Sequence, residues 1–439
     1  MTFPSFSIRK RWLACSEPSF ILELGVINKF KETYDEYPRR FWAVVVISFI
    51  DRIGGTMLFP FFALYITQKF QVGMTQAGFV LGLFSVFGLI GNTIGGALTD
   101  KYGRRNLILF GLIFSALSTL SLGLVDDFRV LIPVAVFIGL LSDVSGPAHG
   151  AMIADILPAR QRQEGFGILR VVANMSWIIG PTIGGFVAGR SFFALFVMDA
   201  VISCFVAFLF YRFIPETKTQ QKGEKQTEGL LDTFKGYRLV LRDRPFVAFI
   251  AATILMTIVY LQMYNSLSVY LRDVHGIQPQ GYGFLLTTSA IVVILFQFSV
   301  TRRIRGQPPF LVMGLGALFY MLGFGMFGVV SVYWLFVAAI VVITIGEMVI
   351  MPTSQALAAN FAPEQMRGRY MAVYGMTHSL PATIAPGAAG LIMDNLNPNL
   401  VWYIGAGMCA LAAFSFYFLH LRIGRHARFQ QQMAASESK

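Results

Sequence analysis

Ionisable side chains lie inside long apolar stretches of this sequence, where a charge at the centre of a membrane-spanning helix costs about 2.5–3.5 kcal/mol. Four of them are carboxyl groups that could bind and release protons: Asp51, Asp143, Asp155 and Glu347. Two are cations, Arg52 and Arg170. Such groups persist in apolar segments when they face a wet cavity or pair with one another. The chemistry that we predict is therefore proton exchange and charge pairing within a membrane.

Glu347 lies in the middle of its apolar stretch, in the segment Gly346-Glu347-Met348-Val349-Ile350-Met351-Pro352. A carboxyl group at that depth is suited to gaining and losing a proton. The alternative is a structural role, in which Glu347 forms a hydrogen bond across to His378.

Asp51 and Arg52 are neighbours, and neighbouring side chains on a helix point about 100° apart. We expect one to face a cavity and the other to pair with an adjacent helix. Arg170 is a candidate partner for Asp51, and Asp143 is a rival acid for that arginine. The alternative to a functional role is a charge pair that only fixes helix packing. Asp199, near the start of its stretch, is interpreted as an interfacial or capping residue.

The elements that must position these residues follow from composition. Of 439 residues, 55% are hydrophobic and 13% are charged, about half the charged fraction of a soluble domain. Three distant cysteines indicate neither a disulfide framework nor a metal site. Apolar runs of about 20 residues, each able to cross a bilayer as a helix, recur along the chain. We predict an all-α polytopic membrane protein with twelve transmembrane helices at 41–67, 76–98, 107–125, 130–156, 165–188, 192–212, 246–271, 281–301, 309–330, 333–359, 369–392 and 400–421.

The net charge of +12 is distributed unevenly between the two sets of loops. One set holds only four basic residues, Lys69, Arg129, Arg190 and Arg272, whereas the other set and the two tails hold nearly all the rest. Basic residues favour the cytoplasmic side, so we expect both termini in the cytoplasm. The excess charge then meets anionic lipid headgroups, and we expect no nucleic-acid partner.

A polar segment at 215–244 divides the chain into two six-helix bundles, 41–214 and 245–422, and is predicted to be a cytoplasmic linker. Residues 1–40 and 423–439 are interpreted as cytoplasmic tails. The halves repeat at a constant offset of 205 residues, through Pro147 and Pro352, Pro158 and Pro363, Arg162 and Arg367, Pro181 and Pro386, and Gly185 and Gly390. We therefore expect the two six-helix bundles to be pseudo-symmetric.

A short, charge-dense link joins the second and third apolar runs, with the sequence Gly95-Gly96-Ala97-Leu98-Thr99-Asp100-Lys101-Tyr102-Gly103-Arg104-Arg105. It resembles the signature loop of the major facilitator superfamily of secondary transporters. The resemblance implies a gate motif formed by Gly95, Gly96, Asp100, Gly103, Arg104 and Arg105. It further implies that Arg104 pairs with Asp155, that Asp100 meets the start of the eleventh span, and that this latch holds an outward-facing state. At the 205-residue offset Arg305 replaces Asp100, so the second copy is degenerate.

Gly180-Pro181-Thr182-Ile183-Gly184-Gly185 resembles the fifth-span motif of antiporters in this superfamily, and implies close packing that seals one side. Glu347 resembles the membrane-embedded glutamate of proton-coupled multidrug exporters. The chain departs from that pattern in the fourth span, where Ser142 occupies the place of an arginine. Arg52 or Arg170 could take over the role of that arginine.

Aromatic and amide side chains suggest a cavity for bulky amphipathic compounds. The candidates are Phe59, Tyr65, Gln262, Tyr264, Asn265 and His378, with contact to lipid as the alternative for each aromatic ring. With the resemblance, these features predict a secondary active transporter that exports amphipathic, cationic, drug-like compounds in exchange for protons. The alternative is a proton-coupled symporter or facilitator for a small metabolite, peptide or lipid-like solute.

We see no nucleophile–base set or phosphate loop, and expect no enzymatic activity, no metal and no cofactor beyond the proton gradient. The expected partners are protons, a small-molecule substrate and the lipid bilayer. We expect a monomer in the plasma membrane, with the bacterial inner membrane as the favoured location.

Overall fold

The structure is a computed structural model that describes residues 34–217, 238–363 and 366–423. Long helices dominate this part of the chain and form twelve segments, which we call spans 1 to 12. In chain order they are Arg39–Leu58 with Phe62–Lys69, Met74–Tyr102, Arg104–Leu124, Phe128–Ser142 with Gly146–Ile156, Ala159–Ala188, Phe192–Phe213, Arg244–Asn265 with Leu267–His275, Pro279–Ile304, Pro309–Phe327, Tyr333–Phe361, Arg367–Asn395 and Leu400–Ile423.

Within the described residues, eleven of these spans are long and apolar enough to cross a membrane. Span 11, with 29 residues, has the length but not the apolarity, because polar residues such as Thr377, His378 and Ser379 interrupt it. The sequence predicted twelve membrane helices, and span 11 is the least apolar of them, with polar side chains that bond in part to its own backbone. Thr377, for example, is fully buried and donates to the Tyr374 carbonyl (2.7 Å).

The two halves repeat the same packing pattern. Span 1 packs on spans 5 and 6, span 2 on span 4, and span 3 on span 6. Span 7 packs likewise on spans 11 and 12, span 8 on span 10, and span 9 on span 12. Between the halves, the closest neighbours are spans 2 and 11 on one flank and spans 5 and 8 on the other.

Glycines allow the two bundles to touch backbone to backbone at one end. We call the membrane side on which the described chain begins and ends the terminal side, and the opposite side the far side. A Cβ atom on Gly78 of span 2 would come within 3.0 Å of the Pro386 carbonyl of span 11. A Cβ atom on Gly283 of span 8 would meet the Pro181 carbonyl of span 5 equally closely. Both contacts lie in the far half of the molecule.

Three glycines of the terminal half, one on each of spans 2, 5 and 11, face open space instead. Built Cβ atoms on Gly96 in span 2, Gly167 in span 5 and Gly375 in span 11 meet no atom of the described chain within 4 Å, apart from their own immediate surroundings. The bundles therefore meet on the far side and diverge towards the terminal side. The structure represents the state that is open to the terminal side.

We predict that Gly78→Val opens the far side, because a branched side chain cannot fit against the Pro386 carbonyl. Nitroxide labels at Gln71→Cys and Leu396→Cys, both on exposed far-side residues, should move apart in a pulsed electron–electron double resonance experiment. Gly387→Val is the matched control, because its side chain would enter open space on the same flank. Equal distance distributions in the two variants would contradict this account.

Candidate functional site

A cavity of about 370 Å³ lies between the two bundles. Spans 1 and 5 line it from the first bundle, and spans 7, 8 and 10 from the second. The side chains that give it its chemical character are those of Phe59, Arg170, Trp177, Tyr260, Tyr264 and Glu347. Of its described lining residues, Glu347 is the acidic one and Arg170 the basic one.

Glu347 is held by a hydroxyl group of span 7. Tyr260 Oη donates to Glu347 Oε1 (2.9 Å) and lies 3.1 Å from the Tyr264 hydroxyl, one helical turn further along. The Trp177 ring from the opposite bundle packs on Tyr264 with 5.0 Å between centroids. The carboxyl group is thus connected through two hydroxyls to an aromatic wall that both bundles build. The hydrogen bond to His378 considered from the sequence is replaced by the bond to Tyr260.

Arg170 extends across the cavity from span 5. Its Nη1 atom donates to Gln355 Oε1 of span 10 (3.0 Å), which joins the two bundles. The partnership with Asp51 considered from the sequence is therefore not formed in this structure. Arg170 and Glu347 instead face one cavity from opposite bundles.

Asp51 lies outside the cavity, in the interior of the first bundle. Asp199 of span 6 accepts a hydrogen bond from Thr119 Oγ1 of span 3 (2.8 Å), lies against Gly54 of span 1, and is within electrostatic range of Asp51.

The interpretation of Asp199 as an interfacial or capping residue is wrong. Ser191 takes the capping position, accepting from the Ala194 N–H (3.2 Å), and Asp199 lies two turns further along the helix, where it is 5% exposed.

Asp143 and Arg52 also lie outside the cavity. Asp143 ends the first helix of span 4, and one of its carboxylate oxygens lies 3.5 Å from a Cβ atom built on Gly88 of span 2. Arg52 is exposed, and neither residue has an ion-pair partner among the residues that the structure describes. Glu347 is therefore the one predicted proton-coupling acid that reaches the central cavity.

Arg104 and Asp155 come together at the terminal end of the first bundle. Arg104 Nε lies 3.0 Å from Asp155 Oδ2, without the alignment of a hydrogen bond. Arg104 begins span 3, and Asp155 lies at the end of span 4. The ion pair therefore lies within the first bundle. It is formed here while the terminal side is open, so it cannot by itself latch the two halves together. Asp100 lies on the last turn of span 2, and its side chain is outside the described part.

Glu216 completes the gate motif and was missed from the sequence. It accepts hydrogen bonds from the backbone N–H groups of Arg104 (3.0 Å) and Arg105 (3.1 Å), where its charge meets the positive end of span 3. Arg105 donates in turn to the carbonyls of Ile214 and Tyr211 (2.8 Å each). The predicted linker at 215–244 thus begins with residues that bind the first bundle. Glu216 is 112 residues from Arg104 along the chain, so no local sequence pattern pointed to it.

The motif glycines act through close packing and backbone geometry. Gly103 has a φ of +89°, a conformation that L side chains rarely adopt, and makes the turn between spans 2 and 3. Gly95 packs on Val144 of span 4, whereas a Cβ atom on Gly96 would meet open space.

The fifth-span motif contacts both bundles. Gly180 and Gly184 pack against Met57 of span 1. Gly185, one residue further, packs on Gly283 of span 8, and Pro181 is buried beside it. Part of this motif therefore closes the far side, and part holds the first bundle together.

Four predicted cavity residues have other positions. Tyr65 is buried in the first bundle, where its hydroxyl donates to the Leu122 carbonyl (2.6 Å). Gln262 is buried and donates to the Ala385 carbonyl of span 11 (2.8 Å), and Asn265 is buried near it. His378 borders a separate crevice of about 10 Å³, behind Tyr260, which is barely large enough for a water molecule. Helical periodicity did not distinguish the faces of these spans because each span is apolar on several sides.

A carboxylate also bridges the bundles on the far side. Asp394, near the end of span 11, accepts hydrogen bonds from the backbone N–H groups of Met74 (2.9 Å) and Thr75 (2.7 Å) at the start of span 2. Arg272 Nη1 donates to Thr67 Oγ1 (3.0 Å) and joins spans 7 and 1 nearby. The far-side closure is therefore polar at its rim and glycine-packed beneath.

We predict that Asp394→Ala shifts the protein away from the closed far side, because two charge-assisted hydrogen bonds at a helix start are lost. For an exposed carboxylate we expect about 1–2 kcal/mol, or roughly a five- to thirtyfold change in the ratio of the two states. The label pair at residues 71 and 396 provides the measurement. Asp126→Ala is the matched control, since Asp126 pairs with Lys69 (3.0 Å) on the same side but inside the first bundle. A shift of the same size in this control would refute the bridging role.

A family model described as Major Facilitator Superfamily matches residues 44–386 and 279–434. The chain is 28% identical over 369 residues to the Na(+), Li(+), K(+)/H(+) antiporter of Planococcus maritimus, covering 78% of this chain and 87% of the antiporter. It is 23% identical over 350 residues to the quinolone resistance protein NorA of Staphylococcus aureus (strain MSSA476), covering 79% and 88%.

A solved structure shares the fold. The crystal structure of a POT family transporter in complex with 5-aminolevulinic acid aligns with a TM-score of 0.72 at 16% identity, covering 86% of this chain and 95% of that one. The predicted family and the predicted all-α membrane fold are both confirmed.

Proposed function

We propose that this chain, which belongs to the Major Facilitator Superfamily of transporters, exports amphipathic cationic compounds in exchange for protons, with Glu347 as the exchange site. The observation that carries the proposal is the position of Glu347. It is the acidic side chain of a cavity between two bundles, and it is bound to Tyr260 within an aromatic wall.

The size and lining of the cavity favour an organic cation. A volume of about 370 Å³ falls within the range of about 300–1,000 Å³ that is typical of drug-sized ligands. The ring faces of Trp177 and Tyr264 can attract a cation within about 6 Å of the ring centroid. Glu347 then supplies the negative charge that the compound and a proton compete for.

Exchange follows when one carboxyl group holds either a proton or the compound. The uneven charge of the loops supports a cytoplasmic terminal side, so the described state would be open to the cytoplasm. A cationic compound entering from there displaces the proton, and the bundles then close on the terminal side and part on the far side. Inward proton flow supplies about 2.3 kcal/mol per charge per 100 mV, and about 1.4 kcal/mol more per pH unit.

Arg170 is the better of the two candidates to replace the arginine that is missing from the fourth span. It lines the same cavity as Glu347, whereas Arg52 lies outside it. Its bond to Gln355 holds the guanidinium group against span 10, about two helical turns from Glu347 on the same helix. A cationic ligand at Glu347 would raise the cost of bringing Arg170 closer, which links cavity occupancy to the contact between the bundles.

Exchange of monovalent metal cations for protons is a second candidate, supported by the 28% identity to the Planococcus maritimus antiporter. Glu347 and the hydroxyls of Tyr260 and Tyr264 are oxygen ligands of the type that such ions accept. A bare ion would leave most of the cavity to water. The size of the cavity therefore favours the organic cation.

The deciding experiment measures proton movement in proteoliposomes that contain a pH-sensitive dye. Addition of tetraphenylphosphonium should drive proton flux in the wild-type protein, and Glu347→Gln should abolish it because the side chain cannot exchange a proton. Glu164→Gln is the matched control. Glu164 accepts from Tyr37 (3.0 Å) near the terminal end of span 5, outside the cavity, and this variant should retain the flux.

Other results would redirect the assignment. Flux evoked by Na⁺, Li⁺ or K⁺ but not by the organic cation would establish the second candidate. Uptake of a polar metabolite together with protons would establish the symporter considered from the sequence. Undiminished flux in Glu347→Gln would remove Glu347 from the mechanism.

A further inference from the structure

A second large cavity lies away from the transport site, in the second bundle. It measures about 760 Å³ and lies between the terminal ends of spans 8, 9 and 10. We call it the basic groove, because Arg302 and Arg305 line it and none of its lining residues is acidic. Thr301, Gln307 and Asn360 add neutral polar groups.

The internal repeat shows why this groove is open. At the offset of 205 residues, Pro309 corresponds to Arg104 and Asn360 corresponds to Asp155. The first bundle fills the equivalent position with the ion pair of Arg104 and Asp155. The second bundle has a proline and an asparagine there, which cannot form an ion pair. The arginines at the end of span 8 have no ion-pair partner among the described residues.

The remaining walls of the groove are apolar, and the groove has an exposed apolar edge. Ile304, Val312 and Leu357 line it, and Phe298 at its edge is 78% exposed. An exposed phenylalanine two turns from the end of a membrane span is suited to contact with an acyl chain. A soluble anion would bind the arginines but would leave the apolar wall without a contact.

We propose that the basic groove binds an anionic phospholipid, with its phosphate on Arg302 and Arg305 and one acyl chain along Phe298. Guanidinium groups match the geometry of phosphate oxygens, and basic pockets between membrane helices bind anionic headgroups. Pro352 of span 10 also lines the groove, five residues from Glu347. The lipid would therefore pack against the same helix that carries the exchange site.

Native mass spectrometry of the full chain tests this directly. Purified protein is mixed with phosphatidylglycerol or with phosphatidylcholine of the same acyl chains, and the retained lipid is counted. Arg302→Gln and Arg305→Gln should each reduce retention of phosphatidylglycerol about fivefold, since one arginine near an anionic surface contributes about 1 kcal/mol. Phosphatidylcholine should be retained weakly by every variant.

Arg303→Gln is the matched control, because Arg303 lies between the two arginines in sequence, is exposed, and does not line the groove. It should retain phosphatidylglycerol within about twofold of the wild type, a difference below about 0.5 kcal/mol. Equal loss in all three variants would show a diffuse charge effect and overturn the proposal. Complete displacement of the lipid by millimolar inorganic phosphate would assign the groove to the free anion instead.

A cross-linking arm separates the lipid from the chain's own segment 218–237. A photoreactive label on Gln307→Cys, which lines the groove without being one of the proposed phosphate ligands, should capture phosphatidylglycerol in vesicles of that lipid. Capture of residues 218–237, which contain Glu224, Glu228 and Asp232, would identify that segment as the occupant and overturn the proposal. Because neither arm depends on proton exchange, failure here would leave the assignment of Glu347 intact.

Discussion

Backbone contact between spans of opposite bundles determines the arrangement of this molecule. Spans 2 and 11 touch at Gly78, and spans 5 and 8 touch at Gly185 and Gly283. Apolar side chains gain little by leaving lipid for another helix, so close van der Waals packing carries most of the attraction between membrane helices. Because these contacts are confined to the far half, the bundles separate towards the terminal side. The space between them is the cavity that Glu347 enters.

The two bundles share a packing pattern but divide the polar chemistry unequally. The first bundle satisfies Asp199 through Thr119 and pairs Arg104 with Asp155, all inside itself. The second bundle directs Glu347 towards the space between the halves. Polar contacts that form within one bundle suit a body that moves as one unit. A group that must exchange its ligand has to lie where the two bodies meet.

Particular residues show how far sequence reasoning reached. Glu347 was identified because an acid in the middle of an apolar run is costly wherever the helix packs. Its partner was not, because Tyr260 is 87 residues away and one tyrosine among several on an apolar helix has no distinguishing pattern. Asp394 and Glu216 were missed for a related reason. Both bind backbone N–H groups of distant helix starts, and such acceptors leave no periodic signal.

The amino-acid sequence by itself determined the membrane class, the repeat of two six-helix halves and the family, because apolar run length and residue spacing are properties of the linear chain. Only the tertiary structure decided which acids share a cavity and which are enclosed within a bundle. A helix of membrane-spanning length presents side chains on every face, and its neighbours determine which face is covered. Tyr264 thus lines the cavity while Tyr65 is sealed inside the first bundle, although both lie on apolar spans.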